Sequence, residues 1–136
     1  MNKESKILIV DDVPKNIQMA MNILKNEGYK MFYSKDGKSA LDLVKEHDFD
    51  LILLDIMMPI MNGFEVCERL KAEVRTKNIP IIFLSGKDSS KDIEQAYESG
   101  GVDYVIKPFI NIELIKKVNA HIRLKQFEDK YREEHE

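Results

Sequence analysis

Three stretches of this chain are apolar at every position, and each stops at a residue able to do chemistry. Ile7 to Val10 runs into Asp11 and Asp12, Leu51 to Leu54 into Asp55, and Ile81 to Leu84 into Ser85 and Gly86. Short runs without polar alternation suit strands buried on both faces, as in a parallel sheet covered by helices. Two further strands are weaker in pattern: Tyr29 to Tyr33, rich in aromatics and expected at or near an edge, and Val102 to Ile106, which ends at Lys107-Pro108.

Between these runs the apolar period changes to that of a helix. Pro14 suits a first helical turn, followed by Ile17, Ala20, Met21 and Leu24, with Gly28 as a stop signal. Ala40, Leu41 and Val44 give a second helix after an Asp36-Gly37 turn, and Asn62-Gly63 precedes a third carrying Phe64, Cys67, Leu70 and Val74 on one side. Ile93, Ala96, Tyr97 and Gly100 outline a fourth, whose modest apolarity and serine-rich entry (Ser89, Ser90) suggest a mobile element. Thr76 to Asn78 reads as a polar loop, and a last helix starts near Asn111. Five strands alternating with five helices predict a parallel α/β sheet, for which a flavodoxin-like order of 2-1-3-4-5 is the expectation.

Length and composition narrow the function. One domain fits 136 residues, and 43% apolar with 33% charged residues is ordinary for a water-soluble fold. A formal charge of −3 gives no electrostatic footprint for nucleic acid, so no direct nucleic-acid binding is expected. Cys67 is the only cysteine and lies on an apolar stripe, which favours a packed thiol and excludes an intrachain disulfide. Nothing reads as a signal peptide or a membrane span, so a cytoplasmic protein without membrane contact is expected.

The strand ends carry the chemistry. In the proposed strand order Asp11, Asp12, Asp55, Ser85 and Lys107 line one sheet edge, where open α/β sheets bind ligands. Alone, Asp55 is either a solvated loop residue or a reactive one, and Asp11 and Asp12 are ordinary helix caps. Together, three carboxylates repel unless a cation neutralises them, and Mg²⁺ suits a set of hard oxygen donors. His47, His121 and His135 fall on helix stretches away from this edge and read as surface residues. A carboxylate beside a divalent cation, a lysine and a hydroxyl make a phosphoryl-transfer kit, in which the carboxylate attacks phosphorus. No GxxxxGK[ST] loop is present, so a nucleotide is not the expected donor.

The ordered set ILIVDDVPKN, LILLDIMMPIMNGFE, PIIFLSG and GGVDYVIKPF resembles the receiver domains of two-component response regulators, over about Lys6 to Leu124. The resemblance implies that Asp55 accepts a phosphoryl group from a sensor histidine kinase or phosphotransfer protein. It implies Mg²⁺ bound directly by Asp12, Asp55 and the backbone carbonyl of Met57, with Asp11 acting through a metal-bound water. Lys107 would contact the phosphoryl group, Pro108 would follow a cis peptide bond, and Ser85 with Tyr104 would form the switch pair. Met57 offers no polar side chain to orient water, Gly86 stands where alanine is commoner, and Lys87 shields or engages the phosphate. A Mg²⁺-dependent phosphatase with an aspartyl nucleophile would instead carry it on the first strand in a DxD pattern, where this chain reads VDDVP. A binding-only pseudo-receiver would lack one of the acids or the lysine.

Residues 1–124 are therefore expected to form a receiver domain, not a turnover enzyme, and 125–136 a helical extension or a linker to an output domain. Ile112, Ile115, Val118 and Ile122 are expected to face the sheet. Beyond them Ala120, Leu124, Phe127 and Tyr131 recur at coiled-coil spacing, which predicts a homodimer through the last helix.

Overall fold

The computed structural model describes residues 4–86 and 90–135. Along the chain run β1 (Lys6–Val10), α1 (Pro14–Leu24), β2 (Lys30–Ser34), α2 (Gly37–Glu46), β3 (Leu51–Asp55), α3 (Gly63–Lys71), β4 (Ile81–Ser85), α4 (Ser90–Glu98), β5 (Asp103–Ile106) and α5 (Asn111–His135). All four strand pairings are parallel and the order is β2-β1-β3-β4-β5, as expected.

Alternate residues of the strands point into two separate cores. Leu8, Val10, Ile52, Leu54, Ile81 and Phe83 pack with Ala40, Val44, Phe64, Cys67 and Ala96 under α2, α3 and α4. Ile7, Ile9, Leu51, Leu53, Ile82 and Leu84 pack with Ile17, Ala20, Leu24, Leu114, Val118 and Ile122 under α1 and α5. Burying each such side chain stabilises the fold by about 1.5–3 kcal/mol before chain entropy is counted. This explains why Ile7–Val10 of β1, Leu51–Leu54 of β3 and Ile81–Leu84 of β4 are apolar throughout.

Asn62-Gly63 opens α3 as expected, and Asp36-Gly37, expected as a turn, is likewise a helix N-terminus. Asp36 accepts a hydrogen bond from the Ser39 N–H at 2.7 Å. Asn62 and Glu65 form a reciprocal capping box, at 3.0 and 3.2 Å. Asp11 and Asp12, by contrast, do not cap α1: Val13 occupies that position without a side-chain cap.

Other boundaries also move. α3 ends at Lys71, so Val74 leaves the apolar stripe and is 80% exposed. Thr76 is buried instead, its hydroxyl donating to the Leu70 carbonyl at 2.6 Å, and Lys71 closes the same loop by donating to the carbonyls of Lys77 and Ile79. Tyr29 precedes β2 and Val102 precedes β5. Ser90 opens α4, whereas Ser89 lies outside the described residues.

On α5 the inward face is Leu114, Val118 and Ile122, while Ile112 is exposed. Two residues advance a helix by about 200°, so Leu124 points away from the sheet that Ile122 touches. Leu124, Phe127 and Tyr131 accordingly stand in solvent, and Ala120 is exposed with them. Lys125 ties the base of this extension to Asp50 at 3.8 Å, and Gln126 reaches Ser5 at 3.3 Å.

Candidate functional site

The parallel topology brings the C-terminal ends of β1, β3, β4 and β5 to one edge, and with them Asp11, Asp12, Asp55, Ser85 and Lys107. Asp11 is fully buried and Asp55 is 2% exposed, which is rare for carboxylates unless they are paired or ligating. Asp11 accepts the Val13 N–H at 2.9 Å and the Asn16 side-chain amide at 3.4 Å. Asp12 is half-buried beside it, and single carboxylate oxygens of Asp11, Asp12 and Asp55 lie within 4.8 Å of one another.

Lys107 answers part of this charge. Its Nζ donates to Asp55 Oδ1 at 3.0 Å and to Asp11 Oδ2 at 3.3 Å. Burial alone would lower the lysine's pKa, but its hydrogen bond to Asp55 and the charges of Asp55 and Asp11 raise it. The Lys107 backbone N–H also donates to the Ser85 carbonyl at 2.7 Å, fixing β5 against β4, and the Lys107–Pro108 bond is cis.

Asp55 remains undercompensated. Burial chiefly, then the neighbouring Asp11 charge and a hydrogen bond with Asp12, push its pKa up to about 6 against the pull of Lys107. Three acids facing one ammonium leave a surplus of negative charge in a cluster of hard oxygen donors. No histidine joins it. His47 packs against Phe32 and Phe49, His135 stacks on Tyr131, and His121 sits 3.0 Å from Asp103. This donor set fits Mg²⁺, which prefers carboxylate, carbonyl and water oxygens.

The acids open into a cleft of about 530 Å³ lined by Asp12, Val13, Asp55, Met57, Ser85, Gly86, Asp92 and Lys107. Ser85 is thus placed in the cleft with Asp55. Tyr104 is not: its half-buried ring stands between α4 and α5, edge-to-face with Tyr97 at 6.3 Å. Lys87 lies outside the described residues. Met57, which lines the cleft, is 74% exposed.

Two features of the β3–α3 loop escaped the sequence reading. A Cβ on Gly63 would lie 2.2 Å from the Asp55 carbonyl oxygen, so only glycine lets α3 start this close to Asp55. Ile60 has φ of 73°, an uncommon region for a β-branched residue, and is fully exposed. Asp92, from α4, is a further acid on the cleft that no strand-end pattern marks.

A parallel α/β fold with an acidic, lysine-bearing strand edge defines a class of protein, and comparison with known proteins names the family. Residues 7–119 match the response regulator receiver domain. Among curated proteins, the chain is 42% identical over 124 residues to a protein of Vibrio cholerae named "Probable cyclic di-GMP phosphodiesterase", covering 90% of this chain and 28% of that one. It is 42% identical over 118 residues to the DNA-binding response regulator MtrA of Mycolicibacterium smegmatis, covering 87% of this chain and 50% of that one. The chain thus spans half the length of these relatives or less. Among solved structures, the chemotaxis protein CheY4 of Vibrio cholerae superposes with a TM-score of 0.82 at 30% identity, covering 87% of this chain and 98% of that one. The chain belongs to the response regulator receiver domain family, a signalling family in which phosphorylation on aspartate and Mg²⁺ are standard. Among the described residues no helix is long and apolar enough to cross a membrane.

Proposed function

We propose that Asp55 is the phosphoacceptor of this receiver, taking its phosphoryl group from a sensor histidine kinase or a phosphotransfer protein. The observation that carries the reading is one buried carboxylate, at the end of the central strand, hydrogen-bonded to Lys107 and opposed by two further acids. A carboxylate oxygen of Asp55 attacks phosphorus, the phosphorus–nitrogen bond of the phosphohistidine breaks, and the imidazole leaves with the electron pair. Lys107 compensates charge on the phosphoryl oxygens, and the Ser85 hydroxyl donates to one of them. Asp12, Asp55 and the Met57 carbonyl, with Asp11 beside them, are the groups that would hold Mg²⁺. When bound, the ion neutralises carboxylates and phosphoryl oxygens alike.

Ser85 and Tyr104 are read as the switch pair, through which acceptor chemistry reaches the α4–β5–α5 face. The exposed stripe of Leu124, Phe127 and Tyr131 supports pairing of α5 with a second copy, and residues 125–136 are read as a helical extension or a linker to a possible output domain. Incubation with a small phosphodonor tests the acceptor assignment by intact mass. One phosphoryl group should add in the presence of Mg²⁺ and none with chelator, and Asp55→Asn should stay unlabelled. Equal labelling of wild type and variant would refute the assignment.

A further inference from the structure

Lys117 has no part in the acceptor chemistry, yet its ammonium is committed to the switch tyrosine. Nζ donates to the Tyr104 carbonyl at 2.7 Å and stands 4.9 Å from the centroid of the same residue's ring. Asp103 Oδ1 at 3.2 Å and Glu113 at 3.4 Å hold the ammonium there, and His121 Nε2 lies 3.0 Å from the other Asp103 oxygen. Burial would lower the lysine's pKa, but Asp103 and Glu113 raise it, so the group over the ring is a cation at neutral pH. Tyr97 of α4 meets the same ring edge-to-face, with planes at 84°. Glu113 lies on α5 with Lys117, so among the described residues the cation meets β5 at Asp103 and at Tyr104 alone. It grips Tyr104 twice, at its carbonyl and at its π face.

We propose that Lys117 is a positioning residue that holds Tyr104 in the groove between α4 and α5, so that the ring turns inward only when this contact is released. The inference rests on the reading of Ser85 and Tyr104 as the switch pair. It assigns to α5 the restraint that sets how readily the switch responds. Removing the cation lowers the cost of turning the ring, so the activated state is reached at lower occupancy of the site. Arginine, which keeps a cation able to lie over an aromatic face, preserves the restraint.

Fluorotyrosine-labelled protein tests this, with the Tyr104 line assigned by its loss in Tyr104→Phe. Beryllofluoride with Mg²⁺ serves as the acyl-phosphate mimic, and the half-saturating concentration is read from the Tyr104 line. A partly buried cation–π contact at the weaker end of its usual range predicts that Lys117→Met lowers that concentration about two- to fivefold, while Lys117→Arg stays at the wild-type value. Lys117→Gln gives the same direction as Lys117→Met and replaces it if that variant does not fold. An unchanged or higher value in the charge-removed variants, beside a wild-type Tyr104 line that does move, overturns the role of Lys117 alone. A wild-type Tyr104 line that stays fixed while bound beryllofluoride is visible overturns the switch reading, and this inference with it.

Discussion

Replacing Asp55 by asparagine should stabilise the metal-free protein at neutral pH, because the native carboxylate is held charged in a site that disfavours its charge. The folded pKa is raised from 3.8 to about 6, by burial first and then by Asp11 and Asp12 against the pull of Lys107. Between these two values the folded state binds more protons than the unfolded one. The contribution of Asp55 to wild-type stability therefore falls as pH rises from about 4 to about 6 and is flat above. A shift of roughly two units corresponds to about 3 kcal/mol. Asparagine carries no such liability, keeps nearly the same shape, and still offers Lys107 an acceptor. The difference between variant and wild type should thus be near zero at pH 4 and approach about 3 kcal/mol at pH 7.5. Urea titration with chelator present reads this as a midpoint increase of about 1–2 M, given an m-value near 2 kcal/mol/M. Saturating Mg²⁺ should stabilise wild type and leave Asp55→Asn almost unmoved, closing the gap. A variant less stable than wild type at pH 7.5, or a gap independent of pH, would refute the electrostatic account of the site.

Other expectations concern the loop, the metal and the last helix. Ile60→Gly should relieve about 1–2 kcal/mol of left-handed strain against about 0.5–1 kcal/mol of added chain entropy, a net gain of up to about 1 kcal/mol seen as a small rise in melting temperature, because the side chain makes no buried contact to lose. A lower melting temperature would deny that strain. Gly63→Ala should cost about 1–3 kcal/mol or more in denaturant titration and slow phosphorylation, since its Cβ meets the Asp55 carbonyl oxygen. Wild-type stability would mean the loop has slack. Asp12→Ala should weaken Mg²⁺ binding more than Asp11→Ala by calorimetry, and Lys107→Ala should leave it unchanged or slightly tighter, because a nearby positive charge is removed; the reverse order of the two acids would reassign the pair. Sedimentation should find self-association at tens of micromolar in the whole chain and not in a version ending at Leu124. Two monomers, with Asp55 phosphorylated or not, would refute pairing through α5.

What the sequence made legible follows from how strongly each position is constrained. β1, β3 and β4 are covered on both faces along Ile7–Val10, Leu51–Leu54 and Ile81–Leu84, so these residues must be apolar and the runs are unmistakable. Once their parallel order is inferred, the polar residue ending each run falls on one edge, and Asp11, Asp12, Asp55, Ser85 and Lys107 are found together. Helix ends were harder, because Asp36-Gly37 and Asn62-Gly63 use the residues of a turn to cap a helix. Val74 and Ile112 continue an apolar period past the point where packing stops, and period alone does not mark that point. Asp92 and Lys117 were invisible for a related reason. A charged residue on a helix looks solvated in sequence, and only the packing of α4 and α5 on the sheet places one on the cleft and the other over a ring.

The acceptor assignment is tested most directly by locating the phosphoryl group on the chain. Borohydride reduces an aspartyl phosphate to homoserine, a change that survives proteolysis and can be read by fragment mass. After reaction with a small phosphodonor and Mg²⁺, homoserine should replace aspartate at position 55 and nowhere else, and no signal should arise with chelator. Homoserine at position 11 or 12, or label retained at Ser85 without any at Asp55, would contradict the account.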